Sequence, residues 1–223
     1  CAQALLSTPD EYKEITAERV AVYIESSNIE TRNLAGDILL KLGKHAANPL
    51  LKYLDHPDFY VRQFAIDIIG QLEDQSVASN LVKFLDDPDP NVVNATIDAL
   101  GNLQAQDIIE ELQIIYDEKE EFRPVIIEAY RKIGGPEVEH ILINLLAQEE
   151  DVFLKLASID ALAFVGNDKS ICEQLIEQLP TIPEEVQGIL LKTIIAISFR
   201  NEFDIELPKE LRNIAQNALM DSD

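Results

Sequence analysis

Pro49-Leu-Leu-Lys-Tyr-Leu-Asp-His-Pro-Asp-Phe-Tyr-Val-Arg-Gln-Phe-Ala-Ile-Asp-Ile-Ile-Gly-Gln-Leu72 is echoed 31 residues later by Asn80-Leu-Val-Lys-Phe-Leu-Asp-Asp-Pro-Asp-Pro-Asn-Val-Val-Asn-Ala-Thr-Ile-Asp-Ala-Leu-Gly-Asn-Leu103. Both stretches carry an apolar trio, an acidic turn with proline, and a longer apolar run. A period between about 20 and 50 residues marks a stack of repeats, each covering its neighbour's apolar face. The phrase recurs in both directions, giving copies at approximately 8–43, 44–73, 74–104, 105–134, 135–166 and 167–199.

Each copy divides into two amphipathic helices. In the first, apolar residues fall at i, i+3 and i+4 and so share one face. The trios are Val20/Tyr23/Ile24, Leu50/Tyr53/Leu54, Leu81/Phe84/Leu85, Leu112/Ile115/Tyr116 and Leu142/Leu145/Leu146, with a sixth, Leu175/Gln178/Leu179, degraded by its Gln. Turns such as Asp55-His-Pro-Asp58 stop one helix and cap the next. The second helices end on Leu42, Leu72, Leu103, Ile133, Val165 and Ile197. Gly43, Gly134 and Gly166 follow three of these, a position that suits a left-handed cap. Gly70 and Gly101 fall inside helices, where they predict close helix approach. Ser7-Thr-Pro-Asp-Glu11 is a helix start, Ala2–Leu6 reads as the remnant of a preceding copy, and residues 206–220 read as a terminal capping helix. The expected fold is one all-α domain over 1–223, an α-α superhelix of about six helix pairs.

Eighteen Lys and Arg against 41 Asp and Glu give a net charge of −23. A chain this acidic repels phosphate backbones, which argues against nucleic acid and toward a basic protein or peptide. No run of about 18 apolar residues is present to span a membrane. Of the two cysteines, Cys172 sits in an apolar helical pattern and predicts a buried thiol, which suits a reducing, cytoplasmic compartment. Cys1 is also the residue that a processed bacterial lipoprotein would carry as its anchor.

The turn Asp-Pro-Asp followed by Val-Arg and then a small residue, as in Pro57-Asp-Phe-Tyr-Val-Arg-Gln-Phe-Ala65, resembles the HEAT-repeat family, in particular its short bacterial PBS-lyase HEAT-like form. Thr31-Arg32 with Ala35, and Phe122-Arg123, repeat the motif in part, while Val93, Lys155 and Gln187 replace its Arg. The resemblance implies a right-handed superhelix whose second helices line a concave surface.

Aligning the second helices brings Asp37, Asp67, Asp98, Glu128 and Asp160 into one column, followed by Lys192. The position is rotated about 200° from the core positions two before and two after it, so it faces away from the core. Carboxylates on helices about 10 Å apart cannot share a calcium ion, but they suit a basic segment meeting them one at a time. A plain solvated face remains the alternative. The Arg column (Arg32, Arg62, Arg123, with Lys155) predicts a ladder of cations bridging acidic turns. Leu156 and Phe164 replace polar residues of other copies, so the fifth copy acquires an apolar step of interface-anchor type; burial by the sixth copy is the alternative. Phe153 and Phe199 share that ambiguity.

His45, His56 and His140 lack the i, i+4 pairing of a helical zinc site, and none is followed by the Glu that HEAT-like iron hydroxylases carry. Neither a metal nor another cofactor is expected. The functional expectation is a non-enzymatic scaffold or adaptor binding a protein or peptide of basic character through its concave face. The partner-binding residues would be Asp37, Asp67, Asp98, Glu128, Asp160, Leu156 and Phe164. A bilin-lyase-like or other modifying enzyme on the same scaffold, and a regulatory or spacer module of a larger protein, are the alternatives.

Overall fold

The computed structural model describes residues 8–209, all of whose regular structure is helical, with no strand. Cys1, Ala2–Leu6, Ser7 and positions 210–220 of the expected terminal helix lie outside the described residues, and residues 206–208, where that helix is expected to start, are not helical. The chain divides into two compact units, Cys1–Glu118 and Lys119–Asp223. The division falls within the copy read as 105–134.

In the first unit, α1 (Lys13–Ala21) runs on into a 3-10 turn, Val22–Glu25, and is followed by α2 (Ile29–Leu42). Then come α3 (Ala47–Leu51), α4 (Phe59–Gly70), and α5 (Ala78–Leu81) with its 3-10 extension Val82–Asp86. Helices α6 (Pro90–Asn102) and α7 (Ile109–Glu118) complete the unit. Several first helices are thus part α, part 3-10, which the i, i+3 half of each apolar trio permits. Pro49 is tolerated in α3 because it lies in the first turn, where its missing N–H is not needed. The second unit holds α8 (Arg123–Ile133), α9 (Pro136–Gln148), α10 (Val152–Val165), α11 (Lys169–Gln178) and α12 (Glu184–Arg200). Helix α10 packs on α8, α9 and α12.

The acidic turns start helices as their chemistry dictates. Asn28 accepts from the Thr31 amide at 3.0 Å, Asp58 from Tyr60 at 2.9 Å, Asp89 from Asn91 at 2.9 Å and Asp151 from Phe153 at 2.7 Å. Each satisfies an amide that the first helical turn leaves without a partner. Leu50, Ile66, Ile69, Leu81, Ile97 and Leu100 are fully buried in the first unit, and Ile126, Tyr130, Leu142, Leu162 and Ile194 in the second. Each such side chain contributes about 2 kcal/mol by leaving water.

The helix ends correct one expectation. Gly43 and Gly134 hold positive φ (60° and 65°), but Gly166 has φ −57° and is not a left-handed cap. It is glycine for space: a Cβ there would lie 2.8 Å from the Leu162 carbonyl oxygen and 2.9 Å from Ile197 Cδ1. Conversely, Glu73 (φ 55°) and Gln104 (φ 52°) take the positive-φ position without being glycine. At Gln104 the bonds are those of a Schellman end, Ala105 N–H to Leu100 C=O at 3.1 Å and Gln104 N–H to Gly101 C=O at 2.9 Å. At the last residue of α4, a Cβ on Gly70 would lie 2.6 Å from Ala99 Cα, so α4 and α6 touch backbone to backbone there. This is the close approach that a glycine inside a helix predicts.

Candidate functional site

In the first unit, successive second helices each carry one carboxylate of the aligned column. Asp37 on α2 is exposed, whereas Asp67 on α4 and Asp98 on α6 are half-buried. The latter two stand close enough to feel each other's charge, a consequence of the Gly70–Ala99 contact one turn away. Burial, and secondarily the charge of Asp98, push the Asp67 carboxyl up to about 6. Asn102 Nδ2 donates to Asp98 Oδ2 at 3.1 Å, and nothing of the kind engages Asp37 among the described residues.

In the second unit the column changes character. Glu128 on α8 accepts two hydrogen bonds from Arg131, at 2.7 Å from Nε and 2.6 Å from Nη2, and Lys132 approaches it at 3.9 Å. The Arg131 guanidinium lies over the Phe164 ring, 4.9 Å from its centroid. Hydrogen bonding to Glu128 raises the Arg131 pKa against the opposing effect of burial, and the charges of Glu128 and Asp160 add to the rise. Asp160 on α10 is exposed, Leu156 is half-buried, and Phe164 remains 63% exposed despite the sixth copy beside it. Phe153 and Phe199 are more exposed still, at 81% and 86%. Arg131 was missed as a site residue. Its i+3 spacing from Glu128 is visible in the sequence, but its stacking on Phe164 depends on the register of α8 against α10.

The Arg column divides by residue. Arg62 is the bridge: Nε and Nη2 donate to the two Asp87 oxygens at 2.9 and 2.7 Å, and Nη1 donates to the carbonyls of His56 at 2.9 Å and Pro57 at 3.2 Å. It thereby ties its own turn to that of the next repeat. Arg123 approaches Glu149 at 3.8 Å and Glu120 at 3.9 Å, and Arg32 lies over the Phe64 ring at 5.9 Å. Lys155 is buried and donates to the Leu146 carbonyl at 2.7 Å. Arg62 and Arg123 thus face acidic turns and Lys155 a helix end, whereas Arg32 stacks on a ring.

Other polar groups sit apart from the exposed row. Glu139 is 4% exposed, and one of its oxygens, Oε1, has no partner; burial raises its pKa. The Cys172 thiol is buried, donates to the Ile194 carbonyl, and is pushed up to about 11 by that burial, which leaves it protonated and unreactive. A cavity of about 510 Å³ opens in the first unit beside Gln75, Ser79, Gln104, Asp107 and Glu111, with no His, Cys or Lys on its walls. Among the described residues, no group of three or more His, Cys, Asp or Glu is placed to hold a metal ion. None of their helices is long and apolar enough to cross a membrane.

Residues 47–131 match the family model for HEAT repeats. The match covers the repeats whose helices lie between those two residues, and the paired helices on either side of it share the same all-helical build. Among solved structures, an engineered protein is similar at 17% identity and a TM-score of 0.50, over 97% of this chain and 66% of that one. The complex of CpcE and CpcF of phycocyanin lyase from Nostoc sp. PCC7120 is similar at 21% identity and 0.47, over 99% of this chain and 92% of that one. Human deoxyhypusine hydroxylase in complex with glycerol follows at 16% and 0.48, over 94% and 96%. The first likeness bears on fold alone, and the two lower ones carry no further weight. No curated protein matches the chain.

Proposed function

We propose that this HEAT-repeat chain is a non-enzymatic protein-binding scaffold whose second helices present the binding residues, and that its partner is basic. The carrying observation is the row Asp37, Asp67 and Asp98 in the first unit, where burial, with the charge of Asp98 adding to it, lifts the Asp67 carboxyl to about 6. A carboxylate whose ionisation is opposed by a like charge gains most from an incoming cation. With a net charge of −23 behind it, the row steers a Lys- or Arg-rich segment toward itself. In the second unit, Leu156 and Phe164 supply the apolar counterpart, with Asp160 beside them and Glu128 already neutralised by Arg131.

Capture from an extract of the native cells tests this reading. The wild-type chain is compared with Asp37→Lys/Asp67→Lys/Asp98→Lys, with circular dichroism confirming equal helicity. Basic proteins should be retained by the wild type, released by salt, and lost from the variant. Retention of the same proteins with the same salt dependence by both chains refutes the basic-partner reading.

A further inference from the structure

The exposed stripe of α10 has its own chemistry. Phe153 opens the helix and Phe164 closes it, both mostly exposed, and Asp160 is exposed between them. Eleven residues of α-helix bring the two rings to within about 20° of each other around the axis and about 16 Å apart along it. On that stripe Asp160 stands about 6 Å from Phe164 and about 10 Å from Phe153. Single exposed apolar residues are ordinary on a protein surface; two exposed aromatic rings on one line of a helix, with half-buried Leu156 on a turn between them, are separate anchors of the type found at interfaces.

Two further features specify what fits. Phe164 is held before any partner arrives, because Arg131 stacks on it and is itself fixed by two hydrogen bonds to Glu128. An anchor fixed in advance loses little freedom on binding. The exposed acid on the stripe is Asp160: Lys155 is buried against the Leu146 carbonyl, Arg131 is tied to Glu128 and reaches Asp160 only through its charge, and among the described residues no hydrogen bond or ion pair engages the Asp160 carboxylate. A second copy of a chain with net charge −23 is a poor occupant, since the two would repel.

Building on the protein-binding reading above, we propose that α10 receives an amphipathic helix of a partner protein that places a Lys or Arg opposite Asp160, between two apolar anchors that meet Phe153 and Phe164. In the partner, the cation lies four residues from one anchor and seven from the other.

The test is a display library of peptides about 20 residues long, enough to span the stripe as a helix, selected on the full chain. Enriched peptides should share that spacing of apolar, basic and apolar positions. A synthetic representative should bind the wild type, and Phe153→Ser/Phe164→Ser should weaken it at least about 10-fold, as for loss of central anchors. Asp160→Lys should weaken the Lys-bearing peptide and favour the same peptide with Glu in place of that Lys. Peptides that bind the Phe153→Ser/Phe164→Ser chain as tightly as the wild type, or a selection that enriches none, overturn the proposal. Binding that survives those changes but is lost in Asp37→Asn/Asp67→Asn/Asp98→Asn overturns it while leaving the basic-partner reading intact. All these positions are exposed or half-exposed, so loss of helicity on substitution would itself contradict their placement.

Discussion

Arg62→Ala removes more than an exposed ion pair. The Arg62 and Asp87 side chains are 11% and 5% exposed, and their bidentate contact is accompanied by two hydrogen bonds from Arg62 to turn carbonyls. Truncating Arg62 leaves the Asp87 side chain buried, with the Asp89 amide donating to it at 2.9 Å as its remaining partner among the described residues. Breaking a buried pair from one side costs about 3–5 kcal/mol, against about 1 kcal/mol or less for a surface pair. Burial alone would raise the Asp87 pKa, but hydrogen bonds from Arg62 and the Asp89 amide, with the charge of Arg62, hold it below the usual carboxylate range. A lowered folded-state pKa means that this stability is present above about pH 4 and is lost as pH falls through the folded value. Urea denaturation followed by circular dichroism, with hydrogen exchange at the Val61 and Val92 amides, measures the loss and places it in the first unit. In a double-mutant cycle with Asp87→Ala the two residues should couple by about 2 kcal/mol. A cost below about 1 kcal/mol at pH 7, or additive single effects, would show that Arg62 does not bridge the turns.

The remaining predictions also concern stability. Asp67→Asn should stabilise the protein at pH 7 by about 1–2 kcal/mol, allowing for the solvent contact of this half-buried carboxyl. Because its folded pKa is raised, to about 6, the folded state holds the proton more tightly. Wild-type stability should therefore fall between about pH 4 and 6, and the advantage of Asn should vanish below about pH 4, as thermal melts across pH will show. Gly70→Ala should cost at least about 2 kcal/mol in urea denaturation, because the added methyl meets the Ala99 backbone, which cannot step aside. Glu73→Gly should gain about 0.5–1 kcal/mol in the same assay by relieving a positive φ in a non-glycine residue.

The sequence by itself determined the periodic features. Apolar spacing of i, i+3 and i+4 makes a helix face wherever it occurs, and Asp before a helix accepts its first amides whatever the tertiary context. The period of 31, the paired helices and the Asp58 and Asp89 caps were therefore all legible. The bridge made by Arg62 was legible as one rung of an expected ladder, but Arg32, read in the same way, stacks on Phe64 instead. Gly70 was legible too, because glycine inside a helix is costly unless something needs the space.

Relations between helices were decided only by the tertiary structure. Gly166 and Gly43 follow equivalent helix ends, yet one is glycine to admit Ile197 and the other to hold a positive φ. No local pattern separates those causes. The aligned acids likewise look alike in the sequence, but Asp37 is exposed, Asp67 is crowded by Asp98, and Glu128 is paired with Arg131. Burial and charge pairing depend on which atoms of neighbouring helices come within a few ångströms, and that is fixed by helix register rather than by repeat position. The same holds for Phe164: its type was readable, whereas its exposure and its stacking under Arg131 follow from how α10 lies against α8.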